Sequence, residues 1–186
     1  MRIVAGKFRG VGLAAPKGLA TRPTSDRVRQ ALFNVLEYGA PGLDVDGARV
    51  LDLFAGSGAL GLEALSRDAR FCLFVEESAE ARGAIRRNVE ALGLTGVTKI
   101  WRRDATSLGQ AGRIEPFDLV LCDPPYGTGL GQRALAAAVE GGWIAPGAVL
   151  VLEERAGFAV DWPAPLAEID RRRYGDTEIA IATAGT

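Results

Sequence analysis

Two short stretches hold residues whose types and spacing could do chemistry. The first is LCDPPYG, Leu121 to Gly127. The apolar run before it, Phe117 to Cys122, reads as a buried strand. Pro124 and Pro125 stop that strand, because prolines donate no backbone N–H and fix the local turn. Asp123 and Tyr126 are then held on a stiff corner past a strand's C-terminal end, the edge where open α/β sheets bind ligands. A rigid turn with a solvated acid would read the same way, so the corner alone decides nothing. The second stretch is VLDLFAGSGALGLEAL, in which Gly56, Gly58 and Gly61 fit G-x-G-x-x-G between a strand and a helix. Alone, that spacing predicts a dinucleotide with its pyrophosphate on the helix N-terminus. Asp52 argues otherwise. A carboxylate just before the glycine turn repels a pyrophosphate and welcomes a cation, such as the ammonium of an amino-acid end. The glycines then let the backbone approach the ligand closely.

Two further acids stand where such a site would use them. Glu76 ends the run RFCLFVE and can accept hydrogen bonds from ribose hydroxyls, a role common to nucleotide sites of both kinds. Glu77 beside it offers a second candidate. Asp104 follows a third run, WRRDAT, and could take an adenine amine or simply cap a short helix. The chain contains no histidine. Ser–His and Cys–His nucleophile pairs, and the commonest general base, are therefore missing. Cys72 and Cys122 fall in apolar runs and read as buried free thiols. Two isolated cysteines without histidine make no metal site, so chemistry without a metal is expected.

The charge is uneven. Residues 1–30 hold Arg2, Lys7, Arg9, Lys17, Arg22, Arg27 and Arg29 against one acid, Asp26, which gives this segment +6 and the remainder −7. A basic arm on an acidic body fits a polyanion partner, although a solvated basic tail has the same composition. No apolar stretch approaches a membrane span, and the first residues lack the apolar core of a signal peptide. A cytoplasmic protein without a membrane partner is expected. The 186 residues suit one domain with a sound core.

The elements that must position these residues follow from periodicity. RIVAGKFRGVGLAAP reads as a small hairpin around glycine turns. Thr24 or Ser25 can cap a helix in which Val28, Ala31, Leu32, Val35 and Leu36 recur at helical spacing until Gly39. From residue 48 strands and helices alternate: ARVLDLF, GALGLEALSR, RFCLFVE, SAEARGAIRRNVEALG, GVTKIWRRD, FDLVLCD, GLGQRALAAAVEGG and GAVLVLEE. That alternation means an α/β fold, a parallel sheet covered on both faces. LAEIDRRRYGDTEIAIAT closes the chain as a hairpin turning at Gly175-Asp176, on one edge of the sheet.

The D-x-F-x-G-x-G loop and the D-P-P-Y corner together resemble the Rossmann-like, S-adenosylmethionine-dependent amino-methyltransferases. The blocks MRIVAGKFRG, TRPTSDRVRQALFNVL, LDLFAGSGALGLEALSR, DPPY and RRRYGDT narrow the resemblance. They are similar to the bacterial family, the RsmD type, that methylates guanine N2 in 16S ribosomal RNA. The resemblance implies a class I methyltransferase fold: a mostly parallel seven-stranded sheet with an antiparallel C-terminal edge hairpin. It implies an RNA-binding hairpin and helix over residues 1–39 and a methyltransferase unit over 40–186. The catalytic corner would be Asp123, Pro124, Pro125 and Tyr126. Asp123 and the Pro124 carbonyl would accept hydrogen bonds from a planar amine, and Tyr126 would stack on its ring. S-adenosylmethionine would be held by Asp52, Phe54, Gly56, Gly58, Glu76, Asp104 and Ala105, and leave as S-adenosylhomocysteine. RNA phosphates would meet Arg2, Lys7, Arg9, Lys17, Arg22, Arg27 and the run Arg171, Arg172 and Arg173; a solvated strand face is the plain reading of that run. The expected partner is 16S rRNA, naked or in small-subunit particles, met by a monomer. An adenine or cytosine amine in nucleic acid is the nearest alternative substrate, with a glutamine of a translation factor behind it. An NAD-dependent oxidoreductase would leave Asp52 and the DPPY corner unexplained, and a non-catalytic RNA-binding module would not need both motifs.

Overall fold

A computed structural model describes residues 1–17 and 24–185. Four helices and seven strands follow in the order α1 (Asp26–Tyr38), β1 (Arg49–Leu53), α2 (Ala59–Ser66), β2 (Phe71–Val75), α3 (Ala79–Ala91), β3 (Thr98–Trp101), β4 (Phe117–Cys122), α4 (Leu130–Glu140), β5 (Ile144–Arg155), β6 (Ala167–Tyr174) and β7 (Thr177–Thr183). The strands form one sheet in the order β3-β2-β1-β4-β5-β7-β6. The first five run parallel, and β7 is antiparallel to both β5 and β6. The topology is that of a Rossmann-like methyltransferase fold.

Strand periodicity explains the two layers, because successive side chains point to opposite faces. Val50, Cys72, Phe74, Leu119, Leu121, Val149 and Val151 face one core. Leu32, Phe33 and Leu36 of α1, Leu62 of α2, and Ile85 and Val89 of α3 cover it. Their neighbours Leu51, Leu53, Leu73, Val75, Val120, Leu150 and Leu152 face the other. There Ala134, Leu135 and Ala138 of α4 pack with Trp143 and Leu108. The helix carrying the basic segment thus shares a core with the sheet. The capping expectation resolves to Ser25, whose Oγ accepts from the Val28 N–H at 3.2 Å.

The structure refines the sequence reading in three places. The N-terminal hairpin forms but stays short: the antiparallel bridge between Arg2 and Gly12 is flanked by bonds from Ile3 N–H to the Val11 carbonyl at 3.0 Å and from Leu13 N–H to the Met1 carbonyl at 2.9 Å. The reason is competition. Glu63 of α2 accepts from Val4 N–H and Ala5 N–H at 2.9 and 3.1 Å, and Ser66 accepts from Phe8 N–H at 3.0 Å. Strand β5 begins at Ile144, earlier than its apolar run, with a register shift between Phe117/Ile144 and Leu119/Val149 that passes Pro146. Strand β6 is the exposed edge, because β7 slots between it and β5.

Candidate active site

The expected residues come from the C-terminal ends of four neighbouring parallel strands. Asp52 and Asp123 belong to adjacent ones: Asp52 pairs with Leu121, and the Asp123 N–H reaches the Leu53 carbonyl at 3.4 Å. The glycine loop between β1 and α2 is held from two sides. Asp52 Oδ2 accepts from Gly61 N–H at 3.0 Å, and Glu76 Oε2 accepts from Gly56 N–H at 2.8 Å. Two glycines are demanded by geometry. Gly58 precedes α2 at φ +81°, and a Cβ on Gly61 would lie 2.6 Å from both the Cys72 sulfur and the Phe74 ring. Phe54, at φ +56°, adopts the left-handed region without being glycine. For so bulky a residue that is strained by roughly 1–3 kcal/mol, and such strain gathers at ligand sites.

Asp52 is only 1% exposed. The open carboxylate expected from sequence is a covered one, lying behind the loop that it braces. Burial, and then the Glu76 charge, push it well above the usual carboxylate range. Glu76 is tied to the loop rather than held free for a ribose, because its other oxygen accepts from Ser78 N–H at 3.0 Å. Each oxygen keeps a lone pair for a further donor. Glu77 is exposed. Asp104 takes the cap role: Oδ1 accepts from Thr106 N–H at 2.8 Å and from its hydroxyl at 2.7 Å. These bonds hold its carboxyl below the usual range and leave Oδ2 for a ligand. Ala105 is buried beside it.

The DPPY corner contains groups that sequence reasoning missed. Thr24 is buried, and its hydroxyl lies 3.3 Å from Asp123 Oδ2 and 2.7 Å from Glu153 Oε2. The Tyr126 hydroxyl lies 2.9 Å from Glu153 Oε1 and 2.9 Å from the Thr177 hydroxyl. Glu154 accepts from Gly127 N–H at 2.9 Å and so fixes the end of the corner. Burial first, then the charges of Glu153 and Asp52, push Asp123 well above the usual range; the Thr24 bond opposes this. Burial also pushes the Tyr126 phenol up. The signal for Glu153 and Glu154 was present: two acids close the apolar run VLVLEE, at the same sheet edge as Asp52. Thr24 was visible only as a helix-cap candidate.

The basic residues divide. Arg9, Lys17 and Arg27 are exposed. Arg2 pairs with Asp26 at 3.5 Å and Lys7 with Asp68 at 3.6 Å, both at the surface. Arg22 lies outside the described residues. Arg29, counted in the basic excess, is fully buried between Asp26 and Glu63 and is part of the fold. On the edge strand, Arg171 is held by Glu168 at 2.7 Å and Glu178 at 3.1 Å, and Arg172 by Asp170 at 3.2 Å. Arg173 donates to the Gly175 carbonyl. Two members of the run are thus engaged by their own acids. Among the described residues no cluster of His, Cys, Asp or Glu could hold a metal ion.

Known proteins similar to this chain indicate its family. The family model described as Conserved hypothetical protein 95 matches residues 1–183. The Escherichia coli K12 ribosomal RNA small subunit methyltransferase D is 40% identical over 154 residues, covering 82% of this chain and 74% of its own. The Haemophilus influenzae protein of the same name is 33% identical, covering 82% and 78%. The solved structure of the E. coli protein yhhF superposes with a TM-score of 0.84 at 31% identity, covering 100% and 98%. The T. thermophilus 16S rRNA N2 methyltransferase RsmC, solved with AdoMet and guanosine, shares the fold with a TM-score of 0.64 at 21% identity, covering 90% of this chain and 44% of its own. With one family model along nearly its whole length and relatives of one name over most of it, the chain belongs to the ribosomal RNA small subunit methyltransferase D family.

Proposed function

We propose that this protein transfers a methyl group from S-adenosylmethionine to the exocyclic N2 amine of a guanine in 16S ribosomal RNA. The observation that carries the reading is the meeting of the glycine loop and the DPPY corner on adjacent strands, with Asp52 behind one and Asp123 in the other. The residues fit a cationic nucleoside cofactor. A buried carboxylate behind the loop opposes a pyrophosphate and favours a positive ligand, even without direct contact. Glu76 and Asp104 retain acceptor capacity for ribose and adenine. Bound there, the cofactor supplies a sulfonium methyl that is already activated, so the protein's task is alignment. Asp123 and the Pro124 carbonyl accept from the amine and turn its lone pair toward the methyl carbon. Tyr126 holds the ring of the base, which must leave its stack to reach the corner. Asp123, raised in basicity by burial and neighbouring charge, is the nearest acceptor for the proton that the methylated amine releases.

Residues 1–39 act as the RNA-gripping extension of the catalytic unit, 40–186, in a cytoplasmic monomer. Among the described residues no helix is long and apolar enough to cross a membrane. Calorimetry tests the cofactor class: S-adenosylhomocysteine binds and NAD does not. Tight NAD binding would sink the reading. A filter assay with methyl-labelled cofactor, run on naked 16S rRNA and on small-subunit particles, then identifies the form of RNA used.

A further inference from the structure

Glu153 belongs to neither motif, yet the corner's hydroxyls converge on it. Cys122 of β4 pairs with Leu152 of β5, so Asp123 and Glu153 are each the next residue on adjacent parallel strands. Glu153 is 5% exposed. Thr24 has one hydroxyl proton and two carboxylates within reach. Glu153 lies 2.7 Å away and Asp123 3.3 Å, so the proton goes to Glu153. The Tyr126 hydroxyl, 2.9 Å from Glu153, also has one proton and gives it to the charged acceptor. Its contact with Thr177 is then made by the Thr177 proton. The described hydroxyl protons of this network therefore run chiefly toward Glu153, and the Thr24 contact with Asp123 is the longer and weaker one.

We propose that Glu153 is a positioning residue for methyl transfer: by holding the Thr24 and Tyr126 protons, it keeps the Asp123 carboxylate open to the substrate amine. The inference rests on the methyltransferase reading above. Its charge acts in the same direction, since a second negative group beside Asp123 strengthens it as an acceptor. Without an acceptor at 153, the Thr24 hydroxyl turns to Asp123 and competes with the amine for the same oxygen. The device also ties the residue before α1 to the end of β5, so the N-terminal segment helps to set the geometry of the corner.

The test uses the full chain, methyl-labelled S-adenosylmethionine and small-subunit particles lacking the modification. Glu153→Met and Glu153→Leu, neither of which offers an acceptor, are each made in the wild-type and Thr24→Val backgrounds; Leu serves where Met prevents folding. Thermal unfolding and S-adenosylhomocysteine calorimetry accompany the kinetics. We expect kcat to fall on the order of tenfold or more in the Glu153 variants, with KM for particles and cofactor affinity nearly unchanged. Adding Thr24→Val removes the misdirected proton, so the double variant turns over faster than the Glu153 variant alone. Wild-type kcat in the Glu153 variants would overturn the proposal. So would cofactor affinity falling in step with kcat, or a double variant no faster than the single one. Wild-type protein that leaves the particles unlabelled would instead overturn the methyltransferase reading itself.

Discussion

At the scale of single residues, buried Asp52 and half-buried Asp123 place function against stability. Asp52 and Asp123 are harder to ionise in the folded chain than in the unfolded one. Their bound protons stabilise the fold fully below the ordinary Asp value of about 4, and that contribution is lost as pH rises through their raised values. Asp52→Asn keeps an oxygen for the Gly61 N–H and removes the buried charge. The ligand-free variant should therefore unfold at a higher temperature than wild type at neutral pH, and the gap should close on acidification. The same variant should bind S-adenosylmethionine more weakly, which calorimetry reads directly. Tyr126→Phe is a second residue-scale test. A stacking ring alone would make this change mild, but the hydroxyl bridges Glu153 and Thr177. Loss of a hydrogen bond to a charged group should lower stability by about 1.5–3 kcal/mol in urea unfolding. An unchanged midpoint would mean the bridge contributes nothing.

At the scale of elements, buried polar side chains on α2 and α3 pin the N-terminal segment. Glu63 accepts from Val4 and Ala5 and pairs with buried Arg29, whose guanidinium also reaches the Arg2 and Thr24 carbonyls. Asn88 of α3 accepts from Ala14 N–H at 2.7 Å and donates to the carbonyls of Ala14 and Ser57. It thereby links this segment to the glycine loop. Glu63→Ala leaves buried Arg29 with Asp26 alone, strips the Val4 and Ala5 N–H groups of their acceptor, and should lower stability by about 3–5 kcal/mol. Hydrogen exchange should show residues 1–17 opening first in Asn88→Ala, before the sheet. This is where the sequence was least legible. Because burial of one face is written into neighbouring positions, periodicity located each of the named α-helices and strands from residue 26 onward, though not the short 3-10 turns Thr95–Val97 and Ala105–Ser107. The bonds from Glu63 and Asn88 to the N-terminal segment join residues far apart in the chain, and no local pattern announces them. The corner and the glycine loop were readable because prolines and glycines constrain the backbone by themselves. The two acids of VLVLEE were visible at the same sheet edge, but the role of Glu153 was not, because an acid at a strand's end acquires meaning only from what faces it.

At the scale of the whole molecule, the basic residues divide between exposed charges and ones that hold the fold. Arg29 is interior, and Arg171 and Arg172 are occupied by acids of their own edge strand. Arg9 is exposed, while Arg2 and Lys7 make only surface pairs, which are worth little. Neutralising Arg2, Lys7 and Arg9 together should lower the slope of log RNA affinity against log salt by roughly 0.7–0.9 for each phosphate that no longer meets a positive charge. Neutralising Arg171 should leave that slope nearly unchanged. A salt titration of both variants on the same RNA separates the two surfaces, and equal slopes would place the grip elsewhere.

The central claim is that the loop and the corner together methylate an exocyclic guanine amine. Nucleoside analysis of small-subunit RNA after incubation with methyl-labelled S-adenosylmethionine tests it most directly, with wild type and Asp123→Ala run side by side. Wild type should yield labelled N2-methylguanosine. Asp123→Ala should yield almost none, although that variant still binds S-adenosylhomocysteine. Label on adenosine or cytidine, or near-normal labelling by Asp123→Ala, would contradict the claim.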